Sequence, residues 1–387
     1  MNGSIRRRGK GTYELTIDLG KDSNGRRQRK FISVKGTKTE ADQKLREVLT
    51  RLDKGMSLDV SKSTVGEFLE SWLSSYVETN TGPRTLDGYR EKIRGYILPS
   101  LGNLILVKMT PQHVQNLYGN MLDRGLSART VLHTHRILRE ALGHGVKWGL
   151  LFRNVCDAVD PPKPRRKEMT ALDYPDVQRF LDAASGSPYG ALFFLDIYTG
   201  LRRSEVLGLR WSAVDLVHKT LAIVETLQVV KGKGLLSLEP KTNRSRRSVS
   251  LAPDALTLLA GLKIKQREER ESFGMEWSES DYVFSHANGK PFYPNTVSKK
   301  FSELVKKAGI PRVRLHDLRH THATLMLKEG VHPKVVSERL GHASVVITLD
   351  TYSHVLPGLQ EEAALKFEQG LRNVAFVGPE SQDQGLT

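Results

Sequence analysis

Leu315-His316-Asp317-Leu318-Arg319-His320 sets a histidine and an arginine three residues apart, which puts both on one helix face. Upstream, Thr199-Gly200-Leu201-Arg202-Arg203-Ser204-Glu205 follows an apolar helical stretch, Leu192 to Tyr198, that Gly200 stops. The next helix opens at Leu201-Arg202, so Arg202 stands at a helix start, where N–H groups and a guanidinium can converge on one anion. Glu205 is spaced to orient Arg202 rather than to react, although alone the two also read as an ordinary surface pair. Downstream, Pro333 to Leu340 reads as a short helix with Gly341 past its end, which leaves His342 on a loop. Ser344 then caps another helix, and Tyr352 falls near its end.

Between the first two strings lies Pro240-Lys241-Thr242-Asn243-Arg244-Ser245-Arg246-Arg247. Lys241 is expected in the turn of a β-hairpin whose strands run from about 220 to 230 and from 246 to 252, with Lys231, Lys233 and Arg244 as nearby competitors. The histidines admit a second reading. His316 and His320 are helical neighbours with His322 close by, as in a metal site. Against it, no glutamate accompanies them, and Arg319 would set a cation beside the metal.

The whole chain bounds these readings. At 387 residues it exceeds one ordinary core, so two or three domains are expected. No apolar run reaches the length of a membrane span, and the basic start at Met1 to Arg8 has no apolar region behind it, so it is not a secretory signal. The single Cys156 excludes an internal disulfide framework, fits a reducing compartment and reads as a small, partly buried hydrophobe. The formal charge of +16 is more than solubility needs, and a polyanion is the simplest partner. Residues 1–38 alone hold eleven Lys/Arg against three acids. A solvated basic tail would explain that charge too, but such tails lack strand patterning.

This segment has it. Tyr13, Leu15, Ile17 and Leu19 alternate with Glu14, Thr16 and Asp18, and Ser23-Asn24-Gly25 supplies a hairpin turn. Arg26 to Val34 and Ser4 to Arg8 complete a three-stranded sheet, backed by a helix that starts after Thr37 or Thr39 and carries Ala41, Leu45, Val48 and Leu52 on one face. Helical periodicity then predicts segments at 64–78, 83–97, 110–124 and 127–148, with Lys92, Arg94, Arg129, His133, His135, Arg136 and Arg139 forming basic faces. Asp160 to Lys167 is rich in proline and basic residues and reads as a linker. A mostly helical region with a strand-rich insertion at 219–252 follows, and Gly358 to Arg372 reads as a helix carrying Leu359, Ala363, Ala364, Phe367 and Leu371. The fold class is therefore mainly α with small β-sheets, a multidomain α+β chain.

These three strings, followed by Leu340-Gly341-His342 with Thr351-Tyr352-Ser353-His354-Val355, resemble in this order and spacing the catalytic domain of the tyrosine recombinases, the phage-integrase family. The resemblance implies a catalytic set of Arg202, Lys241, His316, Arg319, His342 and Tyr352, oriented by Glu205. It implies an arm-type DNA-binding domain at 1–55, a core-binding domain at 63–160, a linker at 161–168, a catalytic domain at 169–375 and a disordered tail at 376–387. Candidate DNA contacts are Arg6, Arg7, Arg8, Arg26, Arg27, Arg29 and Lys30 in the arm domain, Arg129 and Arg136 in the helical module, and Arg165 and Arg166 in the linker.

The chemistry suits these residues. Attack on a phosphodiester builds charge on its non-bridging oxygens, and two guanidiniums can hold both in a bidentate geometry that lysine cannot copy. His316 and His342 can add hydrogen bonds and proton transfers. A tyrosine pKa of about 10 requires a base and a positive field to ionise it, and the 5′-oxygen leaving group requires a proton, the role expected of Lys241. The family implies a 3′-phosphotyrosine intermediate, no metal, no cofactor and no ATP. It implies double-stranded DNA with core and arm sites, a homotetramer linked by C-terminal segments, and accessory directionality or DNA-bending proteins. The function expected is integration or excision of a mobile element, from a phage or a conjugative transposon, in a bacterial cytoplasm with no membrane partner. A type IB topoisomerase-like relaxation enzyme and a non-catalytic DNA-binding regulator are the alternatives.

Overall fold

The computed structural model describes residues 3–21, 25–53, 62–165, 169–230, 232–240, 246–352 and 359–372. The chain divides into two compact units, Met1–Arg166 and Lys167–Thr387. Lys241, Arg166, Ser23, Asn24 and the tail at 376–387 lie outside the described residues.

The first unit opens with an antiparallel sheet in the order β1 (Gly3–Gly9), β2 (Thr12–Lys21), β3 (Arg27–Lys35). Register follows the alternation of the sequence. Leu15 pairs with Ile5 and Ile32, and Leu15 and Ile17 are fully buried. The helix α1 (Lys38–Asp53) packs over β1 and β2 on this apolar face. Thr37 and Glu40 close a capping box at its start: the Thr37 N–H donates to Glu40 Oε2 at 2.6 Å, and the Glu40 N–H donates to Thr37 Oγ1 at 3.3 Å. The opposite face pairs Arg6 with Glu14, Asp18 with Arg29, and Thr16 with Phe31, an aromatic ring left exposed among cations.

The helical part of this unit holds a core of its own, in which Trp72, Leu69, Ile93, Ile97 and Tyr118 are almost wholly removed from water. Each such side chain contributes about 1.5–3 kcal/mol. Its first two helices are not regular throughout. The helix α2 (Val65–Trp72) passes through a widened π-turn at Leu73–Val77 into α3 (Glu78–Asn80). In the same way α4 (Pro83–Lys92) runs through Ile93–Ile97 into α5 (Leu98–Leu101). Then come α6 (Pro111–Asp123) and α7 (Ala128–Lys147), the latter capped by Ser127 Oγ. His135 does not join a basic face. It is buried against the Tyr118 hydroxyl, and burial lowers its pKa, so it packs as a neutral ring. Arg94 and Arg139 are tied to Glu70 and Asp157, respectively. Cys156 is buried, and its thiol is pushed up to about 12, chiefly by that burial.

The second unit is built on α8 (Tyr174–Ala184), α9 (Gly190–Thr199) and α10 (Arg203–Leu207), with Phe180 and Phe193 wholly buried. Its strands are β4 (Val214–Asp215), β5 (Thr220–Ala222), β6 (Thr226–Val230), β7 (Gly234–Leu238) and β8 (Ser248–Ser250). They do not form the single hairpin expected. The sheet order is β4-β5-β8, and β6 pairs with β7 as a separate two-stranded ribbon. The ribbon turns at Gly232 and Lys233, with the Lys233 N–H donating to Val230 O. Lys241 follows β7 in the sequence and precedes β8, among residues outside those described. Glycines at 232 and 234, both at positive φ, supply the turn. The helices α11 (Pro253–Phe273), α12 (Pro294–Lys307), α13 (Asp317–Lys328), α14 (Pro333–Leu340), α15 (Val345–Tyr352) and α16 (Leu359–Arg372) complete the unit. On α16, Leu365, Phe367 and Leu371 are exposed.

Candidate active site

The site grows from two helix ends. α9 stops at Gly200 (φ 63°), and a Cβ at that position would stand 2.5 Å from His322 Cδ2, so the turn accepts only glycine. α14 stops at Gly341 in the same left-handed conformation (φ 67°). The last carbonyls of a helix lack partners within it. Here three guanidiniums take three successive ones. Arg247 Nε donates to Arg339 O at 2.7 Å, Arg319 Nη2 to Leu340 O at 2.6 Å, and Arg202 Nη2 to Gly341 O at 3.2 Å. Arg319 also donates through Nη1 to Gly200 O at 2.8 Å and so joins the ends of α9 and α14.

Glu205 holds this group from below. It is 2% exposed and accepts from the Arg202 backbone N–H (2.9 Å), Arg202 Nη1 (2.7 Å) and Arg247 Nη2 (3.0 Å). Burial opposes its charge, but the hydrogen bonds and charge of Arg247, with Arg202, outweigh burial and lower its pKa. Arg319 is 3% exposed, and burial followed by Arg202 lowers its pKa, although a guanidinium remains charged near neutrality. Two of its five N–H groups are committed to carbonyls.

The histidines take distinct places. His316 caps α13 and keeps an open face to solvent, while the surrounding protein and then Arg319 lower its pKa. His342 follows Gly341, shares a hydrogen bond with Thr348 Oγ1 at 2.8 Å, and is pushed down to about 4 by burial and then Arg319. Both nitrogens of His322 are occupied: Nδ1 donates to Ile197 O at 2.8 Å, and Nε2 accepts from Arg339 Nε at 3.2 Å. That commitment removes His322 from a metal set. Among the described residues no cluster of three His, Cys, Asp or Glu side chains could hold a metal ion. Tyr352 ends α15 at 2% exposure, and burial, opposed by Arg319, raises its hydroxyl to about 12. His320 Nδ1 lies 2.7 Å from that hydroxyl.

Thus five of the six expected catalytic residues, together with Glu205, lie in one interlinked region, and Lys241 is outside the described residues. Sequence reading missed Arg247, Arg339 and the part played by His320. Arg247 lies inside the 240–247 string, and the sequence offers His320 only as a possible metal ligand. Only the fold brings Arg247 under α14 and Arg339 against Ser250 O and Tyr198 O. Of the DNA-contact candidates, Arg6, Arg7, Arg8, Arg26, Arg27 and Arg29 are exposed and Lys30 is half-buried. Arg8 and Arg27 pair with Glu14 and Asp18. Arg129 and Arg136 are exposed and line a groove of about 420 Å³ with Lys92, His133 and Pro164, and Arg165 is exposed in the segment that follows.

Residues 170–358 match the phage integrase family, and residues 64–122 match the phage integrase N-terminal SAM-like domain. A tyrosine recombinase XerC-like protein of Caldanaerobacter subterraneus subsp. tengcongensis is 30% identical over 367 residues, 90% of this chain and 94% of the relative. The chain belongs to the phage integrase family. It is a tyrosine recombinase, a site-specific DNA recombination enzyme. The integrase is also 27% identical to the ICEBs1 integrase of Bacillus subtilis, over 94% of this chain and 99% of that one. Its fold resembles the Tn1549 transposon integrase solved with transposon right end DNA (TM-score 0.68, 20% identity), covering 79% of this chain and 99% of that one. No described helix is long and apolar enough to cross a membrane.

Proposed function

We propose that the integrase cuts and rejoins DNA strands through Tyr352, with Arg202 and Arg319 holding the scissile phosphate. The observation that carries this reading is the convergence of Arg202, Arg319 and Arg247 on the turn that leads into His342. Arg202 has an exposed edge to offer, with 36% of its side chain open, and Arg319 fixes the floor. Their paired charge meets the charge that builds on the non-bridging oxygens. His316 and His342 add hydrogen bonds to the same oxygens. Lys241 protonates the departing 5′-oxygen, and the 3′-phosphotyrosine retains the bond energy needed for religation, so neither metal nor ATP takes part in this scheme.

The remaining parts follow the same reading. Residues 1–55 bind arm sites through the sheet face that carries Arg6, Arg8, Arg29 and Phe31, residues 63–160 bind core sites, 161–168 link them, and 169–375 catalyse. Exchange of four strands calls for four subunits on DNA, with accessory bending or directionality proteins, in the cytoplasm of a bacterium that carries the mobile element. The likeness in fold to a transposon integrase solved with DNA supports the choice of partner.

The test uses nicked duplexes tiled across the DNA that flanks the coding sequence, incubated with the full chain and run on denaturing gels. A covalent adduct with the wild type and none with Tyr352→Phe is expected. An adduct that persists in Tyr352→Phe would overturn the assignment of the nucleophile.

A further inference from the structure

The chemistry above leaves one atom unassigned: the acceptor of the phenolic proton. We infer that His320 is the base that takes the proton from Tyr352 as the phenol attacks. The inference rests on Tyr352 being the nucleophile. His320 Nδ1 stands 2.7 Å from Tyr352 Oη, within the reach a general base needs, and the two rings lie 5.8 Å apart. His320 lies on α13 one turn after His316, and its ring meets His316 edge-on at 5.1 Å. Of the other nearby rings, His342 Nδ1 is engaged with Thr348 and both nitrogens of His322 with Ile197 O and Arg339, and among the described residues the Tyr352 hydroxyl bonds to His320 rather than to His316.

Protonation fits the role. Burial, then His316 and Arg319, hold His320 down to about 4, with Asp317 opposing, so its ring is neutral and Nδ1 has a lone pair to offer. Tyr352 keeps its proton, so the hydroxyl donates and Nδ1 accepts, which places the ring proton on Nε2. In the free enzyme this bond holds the nucleophile protonated. A scissile phosphate brings negative charge to Arg202 and Arg319 and so offsets the cations that disfavour an imidazolium.

The step balances. The Oη–H bond breaks and its proton passes to Nδ1, giving an imidazolium. The Oη–P bond forms while the P–O5′ bond breaks, and the 5′-oxygen takes its proton from Lys241. In religation the incoming 5′-hydroxyl returns its proton to Lys241 and displaces Tyr352, and the imidazolium returns its proton to the phenolate.

The experiment follows adduct formation by the full chain on the nicked duplex that gives an adduct with wild type, alongside gel-shift affinity and thermal unfolding. His320→Ala should slow the adduct by about 10²–10⁴-fold with DNA affinity retained. Added imidazole should restore part of that rate in His320→Ala and none in Tyr352→Phe. His320→Asn separates proton transfer from positioning, since an amide can hold the hydroxyl but cannot take its proton. A slow His320→Asn supports the base, and one that matches wild type overturns it, as does His320→Ala at an undiminished rate. The asparagine variant decides the matter if the alanine variant fails to fold. Adducts in Tyr352→Phe would instead remove the nucleophile reading on which the inference stands.

Discussion

Replacing Glu205 by alanine removes one carboxylate from beneath two guanidiniums, and the two are left in different surroundings. The Arg247 side chain is 7% exposed and Arg202 36%. Water can screen Arg202, so its lost pair costs about 1 kcal/mol or less. Arg247 has no such relief. Removing the partner of a buried charge costs about 3–5 kcal/mol, because the remaining ion stays desolvated. For a unit of this size each kcal/mol lowers the unfolding midpoint by roughly 2–4 °C, so a fall of roughly 6–20 °C is expected by calorimetry. Arg202 also loses two of its anchoring bonds, which should slow adduct formation by about 10²–10³-fold in a site of this type. A double replacement, Glu205→Leu with Arg247→Met, should be more stable than Glu205→Leu alone, since it removes the buried cation together with the carboxylate. A midpoint loss under about 3 °C for Glu205→Ala, or a double variant no better than the single, would refute the reasoning.

Acid should weaken the second unit before the carboxylates titrate. His320, His322 and His342 sit at about 4, 3 and 4, below the ordinary 6.5. Between those values and 6.5 the unfolded chain binds more protons, so stability is fully present above 6.5 and falls as pH drops through the window. Urea midpoints at pH 7.5, 6.5 and 5.5 measure this, and a flat profile would contradict it. Deleting residues 1–55 should leave adduct formation on a core-site duplex intact while binding to arm-site duplexes, with its steep salt dependence, is lost. Loss of core cleavage in that deletion would count against a separable arm domain.

Much of the fold was legible because local signals agreed with the final packing. Gly200 and Gly341 ended helices where the apolar periodicity stopped, Thr37 capped α1, and the alternation around Leu15 and Ile17 fixed a buried sheet face. The π-turns at Leu73–Val77 and Ile93–Ile97 were not legible, since one residue added to a turn barely disturbs a helical pattern. The strand insertion was legible in part: the expected pairing is met by β5 with β8, but the β6-β7 ribbon between them was not foreseen. Periodicity locates strands but not partners, and β5 chose β8 across the intervening ribbon. At the site, residue types singled out Arg202 and Arg319 as candidates, but Arg247 and Arg339 act through backbone carbonyls far away in the chain. Such contacts carry no sequence signature. His135 misled because its helical spacing matched its basic neighbours while the ring turned inward to Tyr118.

Arg319 closes two helix ends at once, at Gly200 and Leu340. Each end carries about half a negative charge, so a guanidinium with almost no access to water finds its counter-charge in peptide dipoles. Those dipoles exist together only when α9 and α14 are both formed and docked. A nascent chain that has not yet reached α14, or a fragment cut before it, carries Arg202 and His316 without the floor that positions them. Burial of the Arg319 charge and the docking of α9 and α14 are thereby coupled, so a chain lacking α14 must leave that guanidinium to water.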